Sequence, residues 1–329
     1  MSIKKSTIFG AGGLAILLLV PLFVGDYILL VFTLIFINVL LASSLRVSFN
    51  AGQLNFGVPG FYSIGAYTSV LLVMKLGVPW VVAFFAAGLM AALVSLIIGY
   101  PSLRLKGVYF LILTLGFIEI VRMLATKWHS LTNGAFGIAH IPPISIAGIE
   151  IVTQTHQYYF TILVMLVFLF VLYRLENSRF GLVVKSLNQA EELGETVGIN
   201  TYRYKILAFA ISSFFVGLTG SVYAHNMTLI QPSYFGFYLA AVVLIYLFVG
   251  GLGGFAGPIL GAVVLSLITE PLRGFHAYER IFFAIVLVLV VLFLPGGILG
   301  AKARLSSLIE RFRRSEKPLD TLDAGRAQQ

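Results

Sequence analysis

The sequence predicts an all-α integral membrane protein, a polytopic helical bundle of about ten spans, some of them short or broken. Three observations predict it. Of the 329 residues, 59% are hydrophobic and 11% charged, less than half the roughly 25% charge of a soluble domain. The mean hydropathy is +0.98. Apolar runs close to the ~20 residues that one bilayer crossing needs recur along nearly the whole chain.

The spans follow in order. Lys4-Lys5 ahead of the run Ile8–Val24 has the outline of a signal peptide. No small-x-small cleavage site ends that run, and the next span starts at Tyr27, so it reads as an uncleaved first span. The second is Tyr27–Leu45, the third Pro59–Met74, the fourth Val78–Tyr100 and the fifth Gly107–Ala125. The sixth is Tyr158–Leu175, the seventh Tyr204–Asn226, the eighth Tyr238–Gly250, the ninth Phe255–Glu270 and the tenth Arg280–Leu299. The third, eighth and ninth are short and interrupted by glycine.

Orientation follows from charge. With the N-terminus in the cytoplasm, 17 of the 22 Lys and Arg residues lie inside and 5 (Lys75, Arg122, Lys127, Arg273 and Arg280) outside. The excess of basic residues on cytoplasmic loops thus places both termini and the stretch 176–205 inside. It also accounts for the net charge of +9 without nucleic acid. The segment 126–157 becomes the main extracytoplasmic excursion. Residues 1–300 form the transmembrane domain and 301–329 a basic, then polar, cytoplasmic tail. The first part of that tail, Lys302–Arg314, suits an interfacial helix on anionic lipid.

The stretch 176–205 is the longest polar interruption. A chain with so little water-facing material keeps such a loop most economically if something soluble docks there. Val183, Leu187, Ala190, Leu193 and Val197 recur at three- and four-residue steps, the pattern of an amphipathic helix. Glu191, Glu192 and Glu195 follow on its C-terminal half, with Gly194 and Gly198. A solvated loop helix without a partner has the same composition.

Two glycine-rich segments stand out at membrane depth: Gly52–Gly60, leading to Tyr67, and Gly250–Pro258, which includes Gly253. Glycine and proline there free backbone groups that only protein or a wet cavity re-satisfies, as in broken transporter helices. Close packing by small residues explains a single glycine equally well. Glu119, inside the fifth span, needs a partner or a wet cavity, and Arg122 sits three residues on, on the same helix face. Gln53, Asn55, Gly57, Tyr67, Thr114 and Asn226 complete the polar and glycine candidates for a translocation path.

Other chemistry is excluded. With no cysteine there is no disulfide, thiolate nucleophile or Cys-based metal site. No G-x-x-x-x-G-K-[ST] loop is present, and the five histidines show no metal spacing. The chain is expected to carry no catalysis, no metal and no cofactor of its own.

Several segments together resemble one family. Gly52-Gln-Leu-Asn-Phe-Gly57 and Gly65-Ala-Tyr-Thr68 precede Leu103-Arg-Leu-Lys-Gly-Val-Tyr-Phe110 and Thr114-Leu-Gly-Phe-Ile-Glu-Ile120. Leu131-Thr-Asn-Gly134, Arg179-Phe-Gly181, Gly198-Ile-Asn200, Tyr204-Lys205, Gly250-Gly-Leu-Gly-Gly254, Gly257-Pro258 and Leu294-Pro-Gly-Gly-Ile-Leu299 follow in order. The set is similar to the permease subunits of branched-chain amino-acid ABC transporters, of the LivM type, over roughly residues 30–300.

The resemblance implies a heteromeric importer in a bacterial or archaeal cytoplasmic membrane. Its parts are this permease, a paralogous permease, two ATP-binding subunits that hold ATP and Mg, and an extracytoplasmic substrate-binding protein. It implies that the loop carries a degenerate E-A-A-x-x-x-G coupling motif that contacts the ATPase. Val183, Leu187, Glu191, Glu192, Gly194 and Gly198 occupy that stretch, with the alanines replaced by Glu and Leu. Branched-chain or related apolar amino acids are the expected cargo, and urea or short amides the alternative within the family. An ion-coupled secondary transporter is the rival of a different class. It would need acids in the membrane core, where only Glu119 and the terminal Glu270 fall within the spans.

Overall fold

A computed structural model describes residues 17–271 except positions 106, 147 and 197, together with the isolated positions 281, 285, 289, 297, 298 and 300. Most of the first span, nearly all of the tenth, the tail 301–329 and Val197 lie outside the described residues.

Five helices are long and apolar enough to cross a membrane: α1 (Asp26–Asn50), α3 (Trp80–Ser102), α4 (Val108–Lys127), α5 (Gln154–Glu176) and α8 (Thr201–Met227). Helix α2 (Val58–Leu76) is long enough but less apolar, because Tyr62, Ser63, Tyr67, Thr68 and Ser69 lie in it. Helices α9 (Phe237–Gly250) and α10 (Ala256–Thr269) are short and apolar. Two further helices, α6 (Arg179–Gln189) and α7 (Glu191–Thr196), fill the polar stretch after α5. The second to ninth expected spans therefore correspond to α1, α2, α3, α4, α5, α8, α9 and α10.

Helix α8 is the central post, packed against α3, α2 and α1, while α1 in turn carries α5, α9 and α10. In lipid, apolar burial between helices gives little drive, and close backbone approach by small residues replaces it. A Cβ built on Gly65 of α2 would overlap the Gly217 carbonyl of α8, and one on Gly250 would overlap the Gly257 carbonyl where α9 meets α10. Polar links cross the interior as well. Ser69 Oγ lies 2.7 Å from Ser221 Oγ and 3.0 Å from His225 Nε2, and His225 Nδ1 lies 2.8 Å from the Pro142 carbonyl. Asn38 donates to Ser266 at 3.1 Å and to Tyr246 at 3.3 Å.

The segment 126–157 differs from a plain loop. It holds a one-turn helix His129–Thr132 and three short strands: β1 (Ile138–Ala139), β2 (Ile144–Ile146) and β3 (Ile149–Ile151). Strands β2 and β3 form a hairpin, and β1 pairs antiparallel with β4 (Leu229–Ile230), just past the end of α8. These strands are the exception to the all-α expectation. They pair backbone groups of chain that runs over the bundle end, with Ile141 and Ile144 anchored in the core.

Candidate functional site

The polar stretch does not form the single amphipathic helix its periodicity predicts. It breaks at Ala190 (φ −152°, ψ 74°) into α6 and α7. The Ser178 hydroxyl caps α6 by accepting from the Gly181 N–H at 3.3 Å. Gly181, Val184 and Leu187 are its buried face, and Val184 packs with Ala51 and Ala208 on the bundle. Val183 is only half-buried, while Leu182 and Leu193 are exposed. The inward apolar surface is thus already occupied by the bundle, and the outward face carries Leu182, Leu193 and Glu192. Gly194 lets α7 close on α6, since a Cβ there would lie 2.5 Å from Leu187. Gly198 (φ 80°) turns the chain toward α8.

Beneath α6 lies a buried ionic knot. Arg46 of α1 donates to both carboxylate oxygens of Glu176, at 3.0 and 2.9 Å, and to the Leu252 carbonyl at 3.0 Å. Lys185 of α6 lies 2.8 Å from the same Glu176. The Arg46 and Glu176 side chains are 4% and 9% exposed, so removing one partner of the pair costs about 3–5 kcal/mol. The knot ties α6 to α1, to the end of α5 and to the turn between α9 and α10. Composition marks none of this, because Arg46 and Glu176 are 130 residues apart. The available signals were an arginine near the end of an otherwise apolar helix and an acid at the end of another.

A second set of links joins the loop to the segment 52–57. Lys205 Nζ lies 2.6 Å from Glu191, and Gln53 donates to the Lys205 carbonyl at 3.0 Å. Asn188 donates to the Phe49 carbonyl at 3.3 Å, and its Oδ1 lies 3.2 Å from a Cβ built on Gly52. A cavity of about 190 Å³ remains between them, lined by Gln53, Leu54, Phe110, Glu191 and Lys205 among others. From Gln53 the chain climbs before α2 begins. Asn55 Oδ1 accepts from the Gly57 N–H at 2.8 Å, and a Cβ on Gly57 would lie 3.2 Å from Phe117, midway along α4. Helix α2 therefore starts inside the bundle rather than at its end. Phe56 stacks on Phe237, with centroids 6.4 Å apart, so α9 starts at the same level.

The candidate path residues are not brought together in one place. Gln53, Asn55 and Gly57 share the climbing segment, and the buried Gln53 Oε1 and Asn55 Nδ2 have no hydrogen-bond partner among the described residues. Tyr67, also with a buried unpaired hydroxyl, lines a separate groove of about 790 Å³ between α3 and α4. Thr114 is buried and donates to the Leu111 carbonyl within α4 at 2.9 Å. Asn226 is buried and donates to Thr161 and to the Val222 carbonyl. Gly253 lies in an exposed turn with nothing within 4 Å of a Cβ. Glu119 pairs with Arg122 as their spacing predicts, with Arg122 Nε donating at 2.9 Å. That pair is exposed, about 12 Å below Lys127 at 1.5 Å per residue, where insertion of one charge costs about 2.5–3.5 kcal/mol.

Comparison with known proteins joins this geometry to a family. Residues 27–291 match the family model described as branched-chain amino acid transport system, permease component. The high-affinity branched-chain amino acid transport system permease LivM of Escherichia coli is 32% identical over 291 residues, 81% of this chain and 68% of the relative. The guanosine ABC transporter permease NupQ of Bacillus subtilis is 29% identical over 214 residues, 60% of this chain and 67% of the relative. The probable branched-chain amino acid permease LivH of Methanocaldococcus jannaschii is 22% identical over 300 residues, 84% and 93% of the two. No solved structure matches the chain.

Proposed function

The chain belongs to the family of branched-chain amino acid transport system permease components, and on that premise we propose how it works within an ABC importer. It is a transport permease rather than an enzyme. Branched-chain or related apolar amino acids, delivered by an extracytoplasmic binding protein, cross the membrane through it and a paralogous permease. Two ATP-binding subunits supply the energy, with ATP and Mg bound to them. About ten spans with both termini in the cytoplasm fit this role, with 1–300 as the permease domain and 301–329 as its tail.

The observation that carries the reading is the family match across residues 27–291. The α6–α7 unit suits the coupling site. Its outward face of Leu182, Glu192 and Leu193 is free for a soluble partner, and its inward face is fastened to the bundle. Motion of the ATP-binding subunits pushes α6, and two routes carry the push onward. One runs through Lys185 and Glu176 to Arg46 and α1. The other runs through Glu191 and Lys205 to Gln53 and the start of α2. Gly194 and Gly198 shape the unit, while Val183 and Leu187 hold α6 in place.

Nucleoside cargo is the second reading, favoured by the similarity to a guanosine permease. The test is reconstitution with the neighbouring ATP-binding subunits and the cognate binding protein in proteoliposomes. ATP-dependent leucine uptake, with guanosine and urea excluded, is the expected result. Guanosine or urea uptake without leucine would replace the cargo, and leucine entry without ATP would overturn the importer mechanism.

A further inference from the structure

Helix α4 shows two exposed faces of opposite character. One, with Leu113, Gly116, Ile120 and Leu124, lines the apolar groove toward α3. The other adjoins it and carries Ile112, Glu119 and Met123 at helical spacing, with Arg122 at its far edge, and none of these lines the groove. It carries the exposed Glu119–Arg122 pair deep in the helix. The α4 surface continues onto neighbouring chain, because α9 and the turn Pro232–Phe235 pack against α4. The irregular segments 52–57 and 230–237 meet there at Phe56 and Phe237, level with the middle of α4, and Leu54, Tyr234 and Phe237 are exposed.

These features do not fit lipid. Non-helical backbone at bilayer depth persists only where protein or a wet cavity covers it, and a charged pair needs the same shelter. A soluble subunit does not reach that depth, so the cover must itself cross the membrane. Resting on the importer reading, we propose that this flank is where a second permease chain packs. The flank comprises the Ile112–Glu119–Met123 face of α4 with the segments 52–57 and 230–237, and the occupant is the paralogous permease. The adjoining, wholly apolar face of α4 that lines the groove meets acyl chains.

The chain has no cysteine, so single cysteines give an unambiguous test. Ile112→Cys on the flank and Leu124→Cys in the groove are each labelled with a benzophenone maleimide in the complete complex, in native membranes, and irradiated. The expected products, read by mass spectrometry, are an adduct with the paralogous permease from Ile112→Cys and only lipid adducts from Leu124→Cys. Lipid adducts alone from Ile112→Cys, with ATP-binding subunits still co-purifying, would overturn the assignment and leave the importer reading standing. Adducts from Ile112→Cys to a second copy of this chain, to the binding protein or to an ATP-binding subunit would overturn it equally. Absence of every companion subunit from the unmodified preparation would instead overturn the importer reading, and the assignment with it. As a second measurement, Glu119→Leu combined with Arg122→Leu lowers the co-purified partner permease at least severalfold while the chain still inserts. Unchanged recovery of that partner would overturn the proposal.

Discussion

Helices α4 and α8 are about equally apolar, yet α8 is enclosed on most sides and α4 on one. Hydropathy therefore says that both cross the membrane and nothing about where they stand. What separates them is the distribution of small and polar residues. Helix α8 buries Ser212, Ser213, Gly217, Thr219, Gly220 and Ser221 against its neighbours, the close-contact vocabulary of helix pairing in lipid. Helix α4 has one glycine, Gly116, with nothing within 4 Å of a Cβ, and keeps its charges on an open face. The enclosed helix is fixed by backbone proximity, and the open one by a few side chains and its loops.

The largest test of that contrast is steric. Gly65→Leu drives a side chain into the Gly217 backbone, with no flexible group to yield. Overpacking costs about 1–3 kcal/mol and occasionally more, and this site lies at the upper end, so folded protein in detergent size-exclusion profiles falls sharply. Gly116→Leu on α4 leaves those profiles unchanged, and equal damage from both would abolish the distinction between the helices. Next comes the ionic knot. Arg46→Leu leaves Glu176 with Lys185 alone and lowers stability by about 3–5 kcal/mol, measured as a fall in denaturation midpoint. Arg46→Leu combined with Glu176→Leu recovers part of that loss.

A smaller effect is expected at the loop. Replacing Glu191 and Glu192 together by Ala uncouples ATP hydrolysis from uptake severalfold without preventing insertion. Glu191→Ala acts through Lys205 and Gln53, whereas Glu192→Ala acts only on contact with the partner. Thus only Glu192→Ala weakens binding of isolated ATP-binding subunits, and normal uptake by the double variant would remove the docking role. The smallest effect is Gly253→Leu. Its turn is open and its φ is not positive, so stability changes by no more than about 0.5 kcal/mol and transport persists. Gly57→Leu, against Asn55 and Phe117, impairs transport.

Eight of the ten expected spans lie mainly among the described residues, and each forms a helix. Their central stretches were legible because a bilayer demands long apolar runs and loops collect charge. Three features were not legible, each for a physical reason. Strands of two or three residues are too short to show a period, so β1 to β4 read as loop. The break at Ala190 depends on tertiary seating, because Leu187 and Gly194 must meet. The climb of 52–57 to the middle of α4 depends on what packs beside it, which composition does not encode. Of the site residues, Glu119 with Arg122 was readable from local spacing. The Arg46–Glu176 pair was not, since no short-range pattern relates them.

The knot under α6 has a consequence for ionic strength. Mobile ions weaken exposed charge contacts beyond about 8 Å at physiological salt but reach enclosed pairs far less. Arg46 and Glu176 are enclosed, whereas Glu192 faces solvent. Added salt therefore weakens any charge contact made at Glu192 before it softens the Arg46–Glu176 pair behind it.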